Sequence, residues 1–179
     1  MRTSMMMVLF AAMSAMMLTT LNGVAGQRAG GGVEYDMVTG DGDDAMGGYA
    51  QYEIDLDGPI AAQLEVSYVT GDYDVAEGSG DYTIVGLGGA LIFSHPLDGF
   101  TPYFGAGAAN NFNDFDNVDY DDKLSIFFIG GGRVPINEGA SLDFSLRYRG
   151  LRPETHTLES VEEIDMDAWI LRVGLLFEL

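Results

Sequence analysis

The stretch Ala168-Trp-Ile-Leu-Arg-Val-Gly-Leu-Leu-Phe-Glu-Leu179 decides how this chain folds. Trp169, Leu171, Val173, Leu175, Phe177 and Leu179 fall on one parity, and Ala168, Ile170, Arg172, Gly174 and Glu178 on the other. Successive side chains of a strand point to opposite faces, so this is a strand with one apolar face and one face bearing Arg and Glu. Such a strand separates two different solvents.

The same two-residue period runs back through the chain. In 141–151, Leu142, Phe144, Leu146 and Tyr148 alternate with Ser141, Asp143, Ser145, Arg147 and Arg149. In 60–70, Ile60, Ala62, Leu64, Val66 and Tyr68 alternate with Ala61, Gln63, Glu65, Ser67 and Val69. In 46–56, Ala50, Tyr52, Ile54 and Leu56 alternate with Tyr49, Gln51, Glu53 and Asp55. Eight strand-like segments are expected in all, at 32–39, 46–56, 60–70, 82–93, 100–110, 123–135, 141–151 and 166–179. Their lengths suit tilted strands crossing a bilayer, which need about 9–11 residues.

The connections alternate in kind. Leu56 to Pro59, Ser94 to Gly99 and Ile136 to Ala140 are short and rich in the Gly and Pro that tight turns use. The others, at 40–45, 71–81, 111–122 and 152–165, are longer and acidic. Short turns at one end and long loops at the other is the layout of a membrane barrel with periplasmic turns and extracellular loops. Outward-parity aromatics mark both ends: Tyr68, Tyr148 and Trp169 near the loops, Phe93, Phe100 and Phe177 near the turns. Tyr82 has the opposite parity.

The first 26 residues read differently. Arg2 precedes an apolar run from Met5 to Leu18, and Thr19 to Gly26 turns small and polar. This is the pattern of a secretory signal peptide, with cleavage expected after Ala25 or Gly26 and a barrel domain over 27–179. The apolar run falls short of the ~20 residues of a spanning helix. Cysteine is absent, which excludes thiol redox or thiolate metal chemistry. The net charge of −20 argues against nucleic acid, which requires a basic face.

Polar-x-Gly-x-x-aromatic-x-hydrophobic at the C-terminus resembles the assembly signal of bacterial outer-membrane barrels. Arg172, Gly174, Phe177 and Leu179 fill its positions, the last with Leu where Phe is commonest. Together with Thr101-Pro-Tyr-Phe-Gly-Ala-Gly-Ala108, the chain after residue 26 resembles the small eight-stranded outer-membrane barrels of the OmpX, opacity-protein and OmpA-barrel type. The resemblance implies an all-β fold, a closed eight-stranded antiparallel up-and-down transmembrane β-barrel, in a Gram-negative outer membrane. It implies outer-membrane lipids and lipopolysaccharide as surroundings, recognition of the last strand by the barrel-assembly machinery, and no cofactor. A closed barrel has no strand edges to pair, so a monomer is expected. The fold hosts adhesins, plugs and lipid-modifying enzymes alike, so the activity must be argued from residues.

The inward parity gathers charge: Glu34, Asp36, Glu53, Glu65 and Asp143 against Arg133, Arg147, Arg149 and Arg172. Closure of the last strand on the first would set Arg172 near Asp36 and Arg147. An eight-stranded barrel is just wide enough for side chains to fill. The cluster then reads as a polar plug, or as a gate whose pairs exchange partners in a small porin-like channel. Glycines at 86, 88, 89, 105, 107 and 130–132 lack the following Lys-Ser/Thr of a phosphate loop, and are expected to permit curvature or make room for large neighbours.

Acids crowd the four long loops: Asp41, Asp43 and Asp44; Asp72, Asp74, Glu77 and Asp81; Asp114, Asp116, Asp119, Asp121 and Asp122; and Glu154, Glu159, Glu162, Glu163, Asp165 and Asp167 in or beside the fourth. Oxygen-rich loops suit divalent cations, including those that bridge lipopolysaccharide phosphates. Asn113 to Asp122 lacks the central Gly and closing Glu of an EF-hand loop. A lipid A-modifying enzyme would rest on His156 with Glu159 and Ser160, whose spacing does not match the His-x-Ser of the deacylase type. The sequence therefore points to a closed barrel presenting acidic loops for surface interaction (adhesion, cation or lipopolysaccharide contact, envelope integrity). A channel and a lipid A enzyme are the alternatives. A soluble lipocalin-like carrier would need an apolar lumen.

Overall fold

A computed structural model describes residues 26–40, 42–56, 58–75, 78–115, 122–152, 154–156, 161–163 and 165–179. The signal-peptide reading of residues 1–25 lies outside the described residues. The strands are β1 (Gln27–Val38), β2 (Ala45–Asp55), β3 (Ile60–Val75), β4 (Gly78–Ser94), β5 (Thr101–Phe115), β6 (Lys123–Asn137), β7 (Ala140–Gly150), β8 (Glu154–His156), β9 (Val161–Glu163) and β10 (Ala168–Glu178). Eight of them close in the order β1-β10-β7-β6-β5-β4-β3-β2, and β8 pairs with β9 in a separate hairpin within the fourth loop. Every pairing is antiparallel, and chain neighbours are barrel neighbours, so the sheet is an up-and-down meander. The wall closes where β10 meets β1, in the register Glu34↔Arg172 and Val33↔Val173. Closure gives every strand two partners and leaves no row of backbone amides and carbonyls facing lipid.

The alternation does the sorting. In β10 the burial pattern is strict, with Ala168, Ile170, Arg172 and Leu176 buried and Trp169, Leu171, Val173, Leu175 and Phe177 exposed. The outer wall is apolar on other strands too, with Leu64, Leu91, Phe104 and Phe128 each more than half exposed. A wall of this kind is stable against hydrocarbon and would aggregate in water. At the loop end Tyr148 lies against Trp169, with ring centroids 5.1 Å apart. At the turn end Phe93 meets Phe104 at 5.1 Å and Phe100 stacks on Phe144 at 6.1 Å. The inward parity of Tyr82 is real: it is buried inside the barrel and donates a hydrogen bond to the Asp43 carbonyl at 3.0 Å.

The strands are longer than their alternation suggests. β1 begins at Gln27, five residues before the expected start, because Gly30, Gly31 and Gly32 are paired on both sides despite their low strand propensity. Most of the segment read as loop 71–81 is a strand extension, paired from Gly71↔Tyr82 to Val75↔Gly78. β5 runs to Phe115, so part of 111–122 is also strand. Ladder pairing, on one side only beyond Thr70 in β3 and beyond Asn111 in β5, overrides the polar composition that reads as loop. Pro135 is accommodated where the β6–β7 register shifts, between Pro135 and Asn137. The turns use positive-φ glycine at Gly58 and Gly99.

Candidate functional site: the filled lumen

The nine side chains singled out from inward parity, Glu34, Asp36, Glu53, Glu65, Arg133, Asp143, Arg147, Arg149 and Arg172, all lie on the inner wall and are at most 6% exposed. Among the described residues they are the buried charged set. Each is there for the same local reason: its neighbours in sequence face lipid, and a strand must point the next residue the other way.

The charges join across the lumen. Arg133 on β6 bonds Glu53 on β2 at 2.5 Å and Asp143 on β7 at 3.1 Å. Arg147 on β7 grips both carboxylate oxygens of Glu65 on β3. Arg172 on β10 reaches Glu34 on β1 at 2.5 Å and the same Glu65 at 3.1 Å. Arg149 pairs with Asp36 at 3.0 Å. Arg172 and Asp36 are diagonal neighbours across the seam and are not each other's ion-pair partners. Asp36 stands opposite Ile170 in the ladder, and Arg172 takes Glu34, its own register partner. Arg147 and Arg172 do come together, over Glu65, whose two oxygens serve both.

Sequence reasoning missed a second set of residues. Arg28, the second residue of β1, bonds Asp55 at the lumen mouth and lies 3.3 Å from Glu53. Three aromatic rings lie beneath the arginines. The Arg147 guanidinium sits 3.8 Å from the Phe127 ring centre, Arg172 4.5 Å from Tyr49, and Arg133 4.7 Å from Tyr103. Each ring in turn rests on an inward glycine. A Cβ at Gly107 would come within 2.5 Å of Phe127, at Gly131 within 2.7 Å of Tyr103, and at Gly174 within 2.6 Å of Tyr49. Phe127 and Tyr103 face their glycines directly in the ladder, whereas Tyr49 reaches across Gly32 to Gly174. The missing side chain lets a ring lie against the wall, and the flat ring lets an Arg stack over it toward the axis. The visible signal was a glycine on inward parity, which marks the space and not its occupant.

The rest of the lumen is filled without charge. Toward the loop end an apolar cluster joins Val69, Tyr73, Tyr82, Ile84, Phe115 and Met166, with Phe115 edge-on to Tyr73 at 5.3 Å and stacked on Tyr82 at 5.6 Å. A second cluster on the β3–β6 side includes Ala61, Ile92, Tyr103, Phe127 and Ile129. Between charge and apolar surface, Gln63 donates to Gln51 at 2.5 Å, and Tyr103 donates to Asp143 at 2.7 Å. At the loop rim Asp167 gathers the Tyr148 hydroxyl at 3.1 Å and the Leu151 amide at 2.8 Å.

The residues of the C-terminal pattern divide by face. Arg172 and Gly174 are built into the lumen, while Phe177 and Leu179 are about half exposed on the outer side at the turn end. His156 lies in β8, where side chains fall outside the described ones, and Glu159 and Ser160 lie outside the described residues altogether. No group of three or more His, Cys, Asp or Glu is placed to hold a metal ion among the described residues.

An apolar outer wall, two aromatic bands, a closed antiparallel meander and a packed polar interior define a small outer-membrane β-barrel protein. Comparison with known families agrees. The family model described as "Outer membrane protein beta-barrel domain" matches residues 6–177, and the chain belongs to that family. Its place is the bacterial outer membrane. No curated protein matches the chain in sequence. Among solved structures it is similar to the outer membrane protein OprG from Pseudomonas aeruginosa, at 14% identity and a TM-score of 0.71, covering 87% of this chain and 96% of that one. It is also similar to Neisserial surface protein A, at 11% identity and a TM-score of 0.63, covering 86% and 96%. The attachment invasion locus protein Ail of Yersinia pestis, solved with the heparin analogue sucrose octasulfate, matches at 16% identity and a TM-score of 0.54, covering 84% and 97%. At these identities the likeness is one of fold.

Proposed function

We propose that this barrel is a pedestal. Its lumen is a permanent plug, and its working surface is the acidic loop end, facing out of the cell, where it contacts cations or cationic partners. The observation that carries this reading is the filling of the lumen. Arg133–Glu53, Arg147–Glu65 and Arg172–Glu65 each span it, and the apolar cluster around Phe115 caps it. Opening a path would strand a buried charge, at about 3–5 kcal/mol for each pair broken. A gate working by exchange of ion pairs therefore needs a compensating partner for each carboxylate it releases. The same accounting disfavours the porin-like alternative.

The outer end is built differently. β3 and β4 extend together beyond the expected span to Val75 and Gly78, raising Asp72, Asp74 and Asp81 on a paired hairpin. Asp43 and Asp44 lie beside it, with the Asp43 amide bonded to the Asp72 carbonyl at 2.9 Å. Ail was solved with a polyanion. A polyanion would be repelled from the acidic end of this chain, so the partner class is of opposite charge: divalent cations, cation-bridged lipopolysaccharide, or a basic protein surface. A lipid A enzyme centred on His156 would rest on side chains that lie outside the described ones.

The test is paired. Barrel reconstituted in planar bilayers should give no discrete conductance. Cells displaying it should bind a lysine-rich probe peptide in a manner lost on Asp72→Asn/Asp74→Asn/Asp81→Asn and at high salt. Steady single-channel steps from the native protein, or probe binding indifferent to those substitutions, would overturn the pedestal reading.

A further inference from the structure

The buried charges are not mixed around the lumen. Glu34, Asp36, Glu53 and Glu65 stand on β1, β2 and β3, while Arg133, Arg147, Arg149 and Arg172 stand on β6, β7 and β10. The N-terminal third of the sheet is acid-lined and the C-terminal third is arginine-lined. The two exceptions pair within their own side. Asp143 on β7 bonds Arg133 on β6, and Arg28 on β1 bonds Glu53 and Asp55 on β2. Among the described residues every other ion pair in the lumen joins one side to the other.

The strands between carry no Asp, Glu, Lys or Arg on their inner face. β4 and β5 present Gly86, Gly88, Gly105 and Gly107 inward instead. In the ring order this pair lies diametrically opposite the β1–β10 seam. The meander therefore has a neutral, glycine-lined middle that bends easily, and two flanks of opposite charge whose free edges must meet.

We infer that the segregated charge is a closing clasp: during assembly the acid-lined flank β1–β3 and the arginine-lined flank β6–β10 attract each other across the forming lumen, and the sheet folds about β4–β5 until β10 pairs with β1. Arg172 completes the clasp. It lies on the last barrel strand and takes Glu34 across the seam and Glu65 two strands further on, while stacking over Tyr49 of β2. A single guanidinium thus joins β10 to the whole opposite flank. The interior charge acts on the rate and correctness of closure, which a random mixture of the same pairs would not do: mixed signs on one flank would pair locally before the edges met. This is independent of what the loops bind.

The experiment is refolding of the full chain from urea into lipid vesicles, with closure followed by the gel-mobility difference between unheated and boiled samples. The comparison is the quadruple variant Glu34→Gln/Glu65→Gln/Arg147→Met/Arg172→Met. It removes two acids and two arginines, so net charge is unchanged and the general self-repulsion of this acidic chain is the same in both. At about 0.01 M salt, where the screening length is about 30 Å, the native chain should close at least tenfold faster than the variant. The ratio should fall toward one at about 1 M salt, where that length is about 3 Å. A ratio near one at low salt, or one that does not fall with salt, would overturn the inference. Should the quadruple variant not fold, Asp36→Asn/Arg149→Met, also neutral in net charge, serves in its place with a two- to threefold expected ratio; native closure no faster than this variant's overturns the inference equally.

Discussion

Replacing Glu65 by Gln should be the most damaging conservative change in the barrel. Glu65 is 5% exposed and accepts hydrogen bonds from the two terminal guanidinium nitrogens of Arg147 and from one of Arg172. Gln keeps the shape and one acceptor oxygen but supplies no charge. Arg147 then loses its carboxylate partner, and Arg172 retains Glu34 alone. Two buried guanidinium groups are left beside one acid. Breaking one buried pair costs about 3–5 kcal/mol, and here one carboxylate answers two arginines, so the upper part of that range is expected. About 4–5 kcal/mol lowers the folded-to-unfolded ratio by roughly a thousandfold, at about 1.4 kcal/mol per tenfold. Urea unfolding in vesicles, read by gel mobility, measures this directly. Combining Glu65→Gln with Arg147→Met removes the orphaned cation and should restore about half the loss or more, since replacing both members of a buried pair is often close to neutral. The reasoning is refuted if Glu65→Gln stays within about 1 kcal/mol of native, or if the double variant is as unstable as the single.

Other consequences are as testable. Gly131→Ala places a Cβ 2.5 Å from the Phe144 carbonyl and 2.7 Å from the Tyr103 ring, so the β7 backbone and the ring must both give, the ring moving away from Asp143 and Arg133. A loss of about 1–3 kcal/mol in the same urea assay is expected, whereas Gly130→Ala, where the added Cβ meets nothing within 4 Å, should be silent. Tyr103→Phe keeps the ring and removes its 2.7 Å hydrogen bond to Asp143, and should cost about 1.5–3 kcal/mol. Trp169 is the single tryptophan and faces outward at 44% exposure, so lipids brominated along the acyl chain should quench the native fluorescence strongly. Absence of quenching by lipids brominated at any depth would contradict the membrane-facing wall.

The alternation of Trp169 to Leu179, repeated in 141–151 and 60–70, was enough for the class of fold, because side-chain direction in a strand is a local property with a period of two. It was also enough to name the nine buried charges, since each needs only its own parity. Strand ends were less legible. Gly30-Gly31-Gly32 and the polar run from Gly71 to Asp74 carry loop-like composition, yet both are strand because paired neighbours, on both sides of the glycines and on the β4 side of Gly71 to Asp74, satisfy their backbone groups. That satisfaction is supplied from elsewhere in the chain and leaves no local mark.

Which charge meets which was decided only in three dimensions. Glu65 and Arg172 are far apart in sequence and three barrel neighbours apart along the wall, and they touch because both point to a narrow axis. For the rings the glycine is visible in the sequence and its occupant is not: Phe127 and Tyr103 meet Gly107 and Gly131 through the β5–β6 ladder, and Tyr49 reaches Gly174 across the closed seam. Parity is local and could be read directly; partnership depends on stagger and closure, which accumulate around the whole barrel and exist only once β10 has met β1.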